Sequence, residues 1–330
     1  MNKIICGDAL SELKKLDKES VDLILTSPPY WEQRKYTKGD DREIGKEKYI
    51  IEYLENLEKV FDECLRVCKR TGSIVFNLGD KYIKGDLQLI PYRFAIRMKD
   101  RHSPPLKLIN DITWVKTNPT PRQYKKRLIS ATEPFFHFVK YEHMFYYNQE
   151  AFFKEDEPIK PNLSPKKGEG YVTKIQNSDL KPKEKLNAMI ALTKTVQEIR
   201  AGEISDFRMK IRGVHKKAFG GQPGGRNNQI DKKGFTIIKM YGCKLKRDVI
   251  TNSVANTKDI DHPAVFPLKV IMELIKLLSV EDSLVLDPFC GSGQVCVASK
   301  LLNRKYLGIE LKKEYCELSE NRISRIESLI

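Results

Sequence analysis

The chain has 330 residues, 40% of them hydrophobic, which allows one large domain or two ordinary ones with a sizeable core. Lys and Arg number 59 against 44 Asp and Glu, a net charge of +15 that favours a polyanionic partner, above all nucleic acid. Seven cysteines with no CxxC pair argue against a disulfide scaffold or a zinc site, so no metal ligands are expected. The sequence starts without a basic-then-apolar leader, and no apolar run approaches membrane-spanning length. The expectation is a soluble cytoplasmic protein that stays off membranes.

Lys3 to Cys6 reads as a short strand, followed by Gly7-Asp8 and a short helix over 9–16. Residues 21–31, VDLILTSPPYW, carry an apolar run into Ser27-Pro28-Pro29-Tyr30. The run suits a central strand of a parallel sheet. Neither proline has an N–H to donate, so the strand must end near Ser27 in a stiff turn. In open α/β sheets, ligands sit just beyond the carboxyl ends of strands. Residues 32–45 are charged and loop-like. A long amphipathic helix follows, with Ile50, Tyr53, Leu54, Leu57, Phe61, Cys64, Leu65 and Cys68 on one face, closed by Thr71-Gly72. SIVFNL (73–78) is the next strand, a helix covers 88–99, and LINDITWVK and EPFFHFVK (133–140) read as strands. This alternation argues a doubly wound sheet.

The pattern degrades between about 150 and 250, where prolines punctuate the chain and a helix is expected near 183–200. Residues 151–250 hold 22 basic and 11 acidic residues, so this stretch carries +11 of the net charge. The loop KAFGGQPGGRNNQ contains Lys217, Arg226, Asn227, Asn228 and Gln229, and Lys216 precedes it. Such side chains suit phosphate and base-edge contacts. Regular logic resumes at His262. Pro267 opens a helix with Ile271, Leu274, Ile275 and Leu278 on its buried face. SLVLD (283–287) is a strand, PFCGSG a turn, QVCVASKLL a helix, KYLGIE (305–310) a strand, and a helix runs on from about 313.

In LVLDPFCGSGQVC (284–296), Gly291 and Gly293 let the backbone pass close to a ligand at a helix N-terminus. Glu310, 17 residues past Gly293, ends the next strand, where an acid can accept from both hydroxyls of a ribose. No GK[ST] follows, which excludes a P-loop. NAD and S-adenosylmethionine both remain. Asp287 favours the second, because an acid at the strand end can face an ammonium and would repel a pyrophosphate. No Pro-Cys dipeptide occurs, so a cytosine-C5 nucleophile is absent and Cys290 reads as a small filler.

TSPPYW at one strand end together with DPFCGSG resembles the amino-methylating DNA methyltransferases, which use S-adenosylmethionine. The order, SPPY first, a variable middle, then DPFCGSG, resembles their β class; TSPPYW resembles the cytosine-N4 members in particular. The resemblance covers about 1–150 and 250–330 and implies a doubly wound, mostly parallel, seven-stranded Rossmann-like α/β methyltransferase sheet with permuted motif order. The smaller, irregular region 151–249 would recognise the target. The sheet would run from SLVLD through KYLGIE to the N-terminal KIIC strand and then VDLIL. Carried over residue by residue, Asp287, Pro288, Phe289, Gly291, Ser292 and Gly293 would form the cofactor loop and Glu310 would hold the ribose. Asp8 would lie near the adenine edge. His262, Pro263 and Phe266 would lie near the methionine part.

The resemblance also gives the turn its chemistry. An exocyclic amine is a poor nucleophile because its lone pair delocalises into the ring. Ser27 Oγ and the Pro28 carbonyl, held inward by Pro28 and Pro29, would accept from its hydrogens and free the lone pair. Tyr30 would stack on the base, which must leave the duplex. Trp31 and the 32–45 loop would close over the DNA. The activity implied is cytosine-N4 methylation within a restriction–modification system, on double-stranded DNA in a prokaryotic nucleoid, yielding S-adenosylhomocysteine. A cognate endonuclease and a second copy of the chain are the implied protein partners. Adenine-N6 methylation and a non-catalytic nucleic-acid-binding paralogue are the alternatives on the same scaffold.

Overall fold

The computed structural model describes residues 2–32, 43–102, 106–119, 126–148, 165–201, 203–215, 226–240, 248–254 and 266–327. The chain divides into two compact units, Met1–Phe152 with Lys246–Ile330, and Phe153–Leu245.

In the first unit the elements run β1 (Asn2–Cys6), α1 (Ala9–Leu13), β2 (Val21–Thr26), α2 (Ile50–Val67), β3 (Cys68–Asn77), β4 (Tyr82–Ile83), β5 (Asp86–Leu87), α3 (Ile90–Asp100), β6 (Lys107–Lys116) and β7 (Thr132–Val139). The second unit supplies α4 (Pro165–Gln176), α5 (Pro182–Arg200), β8 (Asp206–Ile211), α6 (Arg226–Lys233) and β9 (Phe235–Met240). The first unit then resumes with β10 (Val249–Asn252), α7 (Leu268–Leu278), β11 (Leu284–Asp287), α8 (Gln294–Leu301), β12 (Lys305–Glu310) and α9 (Lys313–Glu327).

The main sheet is a mixed, mostly parallel one of eight strands in the order β1-β12-β11-β2-β3-β7-β6-β10, with β7 antiparallel to both neighbours. The expected count of seven is corrected to eight. SLVLD, KYLGIE and KIIC are neighbours in the expected order, but VDLIL is corrected from beside KIIC to beside SLVLD at the centre, which leaves KIIC at the edge. Burial explains the difference. β2 is buried along nearly its whole length, whereas β1 has no buried position, only exposed and half-buried ones. An all-apolar strand loses most by standing at an edge.

β2 feeds two cores. Its register shifts between Val21 and Leu23, so Val21 and Ile24 join one face while Leu23 and Leu25 join the other. Asp22, at the shift, accepts from the Leu284 amide (2.8 Å) and pairs with Lys69 (2.7 Å). On the first face lie α1, α2 and α3. Phe61 of α2 packs edge-on against Phe76, Phe94 and Phe138 at 5.3, 5.7 and 5.3 Å. On the second face lie α7 and α8, with Ile271, Leu274, Ile275 and Leu278 buried as their spacing predicts. The α2 helix stops at Val67, one residue before Cys68, which opens β3 and is buried there.

The second unit is less irregular than expected. The antiparallel pair β8–β9, absent from the sequence reading, packs against α4 and α5 around Ile175, Leu180, Leu192, Ile199, Phe207, Met209 and Ile211. Prolines at the starts of α4 and α5 mark entries into helices rather than loss of structure. Among the described residues no helix is long and apolar enough to cross a membrane.

Candidate active site

The parallel strands present a row of carboxyl ends along one rim. β2 ends at Thr26 and its continuation turns at once through Ser27, Pro28, Pro29 and Tyr30. The turn is held from beneath. Tyr53 of α2 donates its hydroxyl to the Pro29 carbonyl at 2.9 Å. Trp31 donates its ring N–H to the Glu47 carbonyl at 2.7 Å and is 5% exposed within the core. Trp31, expected at the DNA, thus has its apolar body buried and its one donor engaged inside the protein, where it supports the turn. Residues 33–42 of the loop after it lie outside the described residues.

The hydroxyls of Ser27 and Tyr30 meet a set of acceptors that the sequence reading missed. Tyr30 Oη donates to Asn77 Oδ1 at 2.7 Å and lies 3.1 Å from Glu133 Oε2. Ser27 Oγ is 3.2 Å from Tyr30 Oη and 3.4 Å from Asn77 Oδ1. Asn77 Nδ2 donates to the Pro134 carbonyl at 2.9 Å, which fixes the amide with its oxygen toward the two hydroxyls. Glu133 Oε1 is held by the Lys116 ammonium, which itself stands 5.0 Å from the centre of the Trp114 ring. Burial, and next the charge of Glu133, push the Tyr30 phenol well above its ordinary range, so it stays protonated. The Tyr30 ring lies against Gly79: a Cβ there would fall 2.4 Å from Tyr30 Cε2.

Asn77 ends β3, Glu133 opens the antiparallel β7, and Lys116 ends β6. Reversal of β7 therefore brings its first residues to the rim where the parallel strands finish. A polar residue at a strand's end (Asn77) and an acid opening an apolar run (Glu133) were the only sequence signals.

On the other side of β2, β11 ends at Asp287 and the glycine turn begins. Asp287 is 3% exposed; its Oδ1 accepts from Thr26 Oγ1 at 2.6 Å and from the Phe289 amide at 3.0 Å. It thus ties the end of β2 to the glycine turn. Burial raises its pKa to about 7 against those hydrogen bonds. Pro288 is buried and Phe289 packs on the first core. Gly291 and Gly293 both take positive φ, +52° and +78°. At Gly293 a Cβ would also come 2.9 Å from Ser319 Cβ, so only glycine fits. Helix α9 grips the loop from outside. Ser319 Oγ donates to the Gly291 carbonyl at 2.7 Å, and Arg322 donates to the Ser292 carbonyl and to Gln294 Oε1 (2.5 Å). Cys290 is buried, its thiol pushed up by the neighbouring Cys296 sulfur and by burial, which makes it an inert filler.

Glu310 closes the site. Its Oε2 accepts from the Gly291 amide at 2.8 Å and its Oε1 from the Lys312 amide at 2.9 Å. Burial raises its pKa while those amides pull the other way. Asp8 stands at the end of the adjacent β1, where its Oδ1 caps α1 through the Ser11 amide (2.9 Å) and hydroxyl (2.6 Å). The main chain links the two strand ends, Gly7 N–H to Glu310 O at 2.8 Å. Asp8, Glu310, the 287–293 turn and the Ser27–Tyr30 turn thus share one rim. Phe266 packs on Phe135 at 5.6 Å in the second core. His262, Pro263, Lys216 and Lys217 lie outside the described residues. Arg226, Asn227 and Asn228 begin α6, with their side chains outside the description.

The DNA methylase family model N6_N4_Mtase matches residues 21–321. The Type II methyltransferase M.Cfr9I of Citrobacter freundii is 27% identical over 346 aligned residues, covering 96% of this chain and 86% of its own. Among solved structures, the PvuII DNA methyltransferase (cytosine-N4-specific) matches with a TM-score of 0.58 at 18% identity, covering 99% of this chain and 90% of that one. The M1.HpyAVI–SAM complex matches with a TM-score of 0.52 at 19% identity, covering 98% and 99%. At these identities the structural likeness carries the fold.

Proposed function

Since the chain belongs to the N6/N4 DNA methylase family, we propose that it moves a methyl group from S-adenosylmethionine to the exocyclic N4 of a cytosine flipped out of double-stranded DNA. One observation carries this reading. The glycine turn and the Ser27–Tyr30 turn open from the adjacent parallel strands β11 and β2, tied by Thr26 and Asp287. A donor held by one turn faces a base held by the other.

The residues present fit the donor. Two glycines with positive φ bring bare backbone to the start of α8, which admits a ligand closely. Each Glu310 oxygen already takes one amide and keeps a second lone pair for a ribose hydroxyl. Asp287, held near neutrality by burial, becomes an anion beside the methionine ammonium. When bound, the sulfonium supplies an electrophilic methyl carbon. The protein's part is to orient the amine. Ser27 Oγ and the Pro28 carbonyl accept from its hydrogens, Tyr53 having taken the Pro29 carbonyl. Tyr30, backed by Gly79, supports the ring.

The second unit, within 151–249, is the sequence-reading part in this proposal, and modification of the site of a cognate endonuclease is the cellular role. The test is to methylate duplex DNA of mixed sequence with labelled S-adenosylmethionine, digest it, and identify the nucleoside by mass. N4-methylcytosine is the expected product; N6-methyladenine alone would overturn the choice of base.

A further inference from the structure

The hydrogen bonds around Tyr30 do not balance. Tyr30 has one proton and two acceptors within reach, Asn77 Oδ1 at 2.7 Å and Glu133 Oε2 at 3.1 Å. Ser27 has one proton and points it at Tyr30 Oη (3.2 Å) or Asn77 Oδ1 (3.4 Å). Two donors therefore serve three acceptors, and the surplus sits where an amine is to be methylated. Methylation leaves that amine with a proton it must lose. Asn77 cannot take it, because an amide oxygen is too weak a base and its nitrogen is spent on Pro134. The chain of contacts leads instead from Ser27 through Tyr30 to a carboxylate.

We propose that Glu133 is the terminal acceptor of the proton released from the methylated amine, reached through the hydroxyls of Ser27 and Tyr30. The inference rests on the reading of Ser27–Tyr30 as the methylation turn. The step balances. The amine lone pair forms the bond to the methyl carbon as the carbon–sulfur pair leaves with sulfur. The cationic amine passes a proton to Ser27 Oγ, the Ser27 proton passes to Tyr30 Oη, and the Tyr30 proton passes to Glu133 Oε2. Both hydroxyls are restored, and a neutral amine faces a neutral acid that later loses its proton to water. An amine-protonated base is a strong acid, so a carboxylate suffices. The raised phenol of Tyr30 suits a relay that never becomes a phenolate. Lys116 from β6, Tyr30 from the β2 turn and, beyond it, Tyr53 from α2 are the titratable groups facing this carboxylate. Lys116 holds Oε1 and leaves Oε2 to the relay. Glu133 acts through Tyr30 and Ser27 and is thus a positioning and proton-holding residue rather than one that touches the base.

The test is single-turnover methyl transfer at one pH by Glu133→Gln and Glu133→Asp, beside the wild type. DNA affinity and the fluorescence of 2-aminopurine at the target position serve as readouts independent of turnover. Glu133→Gln should be slower by about 10² and Glu133→Asp should recover about tenfold of that loss, with DNA binding and flipping within twofold of wild type. An unchanged rate in Glu133→Gln, or no recovery in Glu133→Asp, would overturn the proposal; so would equal losses of DNA binding and rate, which would make Glu133 structural. Tyr30→Phe breaks the same path beside an intact Glu133–Lys116 pair and must also be slower by about 10²; a wild-type rate in Tyr30→Phe overturns the relay even if Glu133→Gln does not fold. A wild type that methylates adenine alone would correct the choice of base and leave the same comparison to decide on Glu133. A wild type that transfers no methyl would overturn both.

Discussion

Asp287 shows how one residue can trade stability against function. Its carboxyl is buried and its pKa is raised to about 7, so the folded protein holds a proton more tightly than the unfolded chain does. The sign follows: this group stabilises the fold fully below the ordinary aspartate range, loses that contribution as pH rises toward 7, and adds nothing further above it. The span is roughly 4 kcal/mol at about 1.4 kcal/mol per unit. Asp287→Asn keeps an oxygen for Thr26 and Phe289. It should flatten the decline in melting temperature of the ligand-free protein between pH 4 and 7, while weakening S-adenosylmethionine in calorimetry by about tenfold or more. Gly79 gives a second residue-scale prediction. Ala there brings its Cβ to 2.4 Å from the Tyr30 ring without backbone strain, so the ring must shift. Gly79→Ala should lower methyl transfer by about 10² with little change in melting temperature, because a displacement near 1 Å is enough to spoil alignment.

At the scale of elements, α9 acts as a clamp on the cofactor loop. Ser319 and Arg322 take the outward carbonyls of Gly291 and Ser292, which fixes that backbone for ligand binding. Arg322→Ala should raise the dissociation constant for S-adenosylmethionine about tenfold, since a charged hydrogen bond to a buried acceptor contributes roughly 1.5–3 kcal/mol. DNA affinity measured without cofactor should not change. Nothing in the spacing of α9 announces this role, because the partners are carbonyls. The two turns that face each other were legible, because prolines and glycines stop elements locally. Helices α2 and α7 were legible for a related reason: their buried faces recur at helical spacing. Strand order was only partly legible from apolar runs: β1 lies beside β12 as expected, but β2 lies beside β11 and not beside β1, because edge and centre differ in burial, not in period. Asn77, Glu133 and Lys116 were hidden for a third reason. They meet only because β7 runs against its neighbours, and reversal is a property of pairing, not of any one strand.

At the scale of the whole molecule, charge dominates. The stretch 151–250 carries +11 of the +15, and the proposed role of this stretch on DNA predicts a strong salt dependence for binding. Lys232 and Lys233 are exposed in the last turn of α6. Replacing both with Ala should reduce the slope of log affinity against log salt by about 2 while sparing S-adenosylmethionine binding. The central seam of the sheet has a further consequence, in time rather than in space. Thr26 and Asp287, joined across that seam, are 261 residues apart in the chain. At roughly 5–20 residues per second, a ribosome needs on the order of tens of seconds to deliver β11 after β2. Through that interval β2, buried along nearly its whole length in the finished sheet, waits with one edge bare. Chaperone occupancy should therefore peak on nascent chains that have exposed β2 and not yet β11, and the enzyme is born inactive until nearly its last strand arrives.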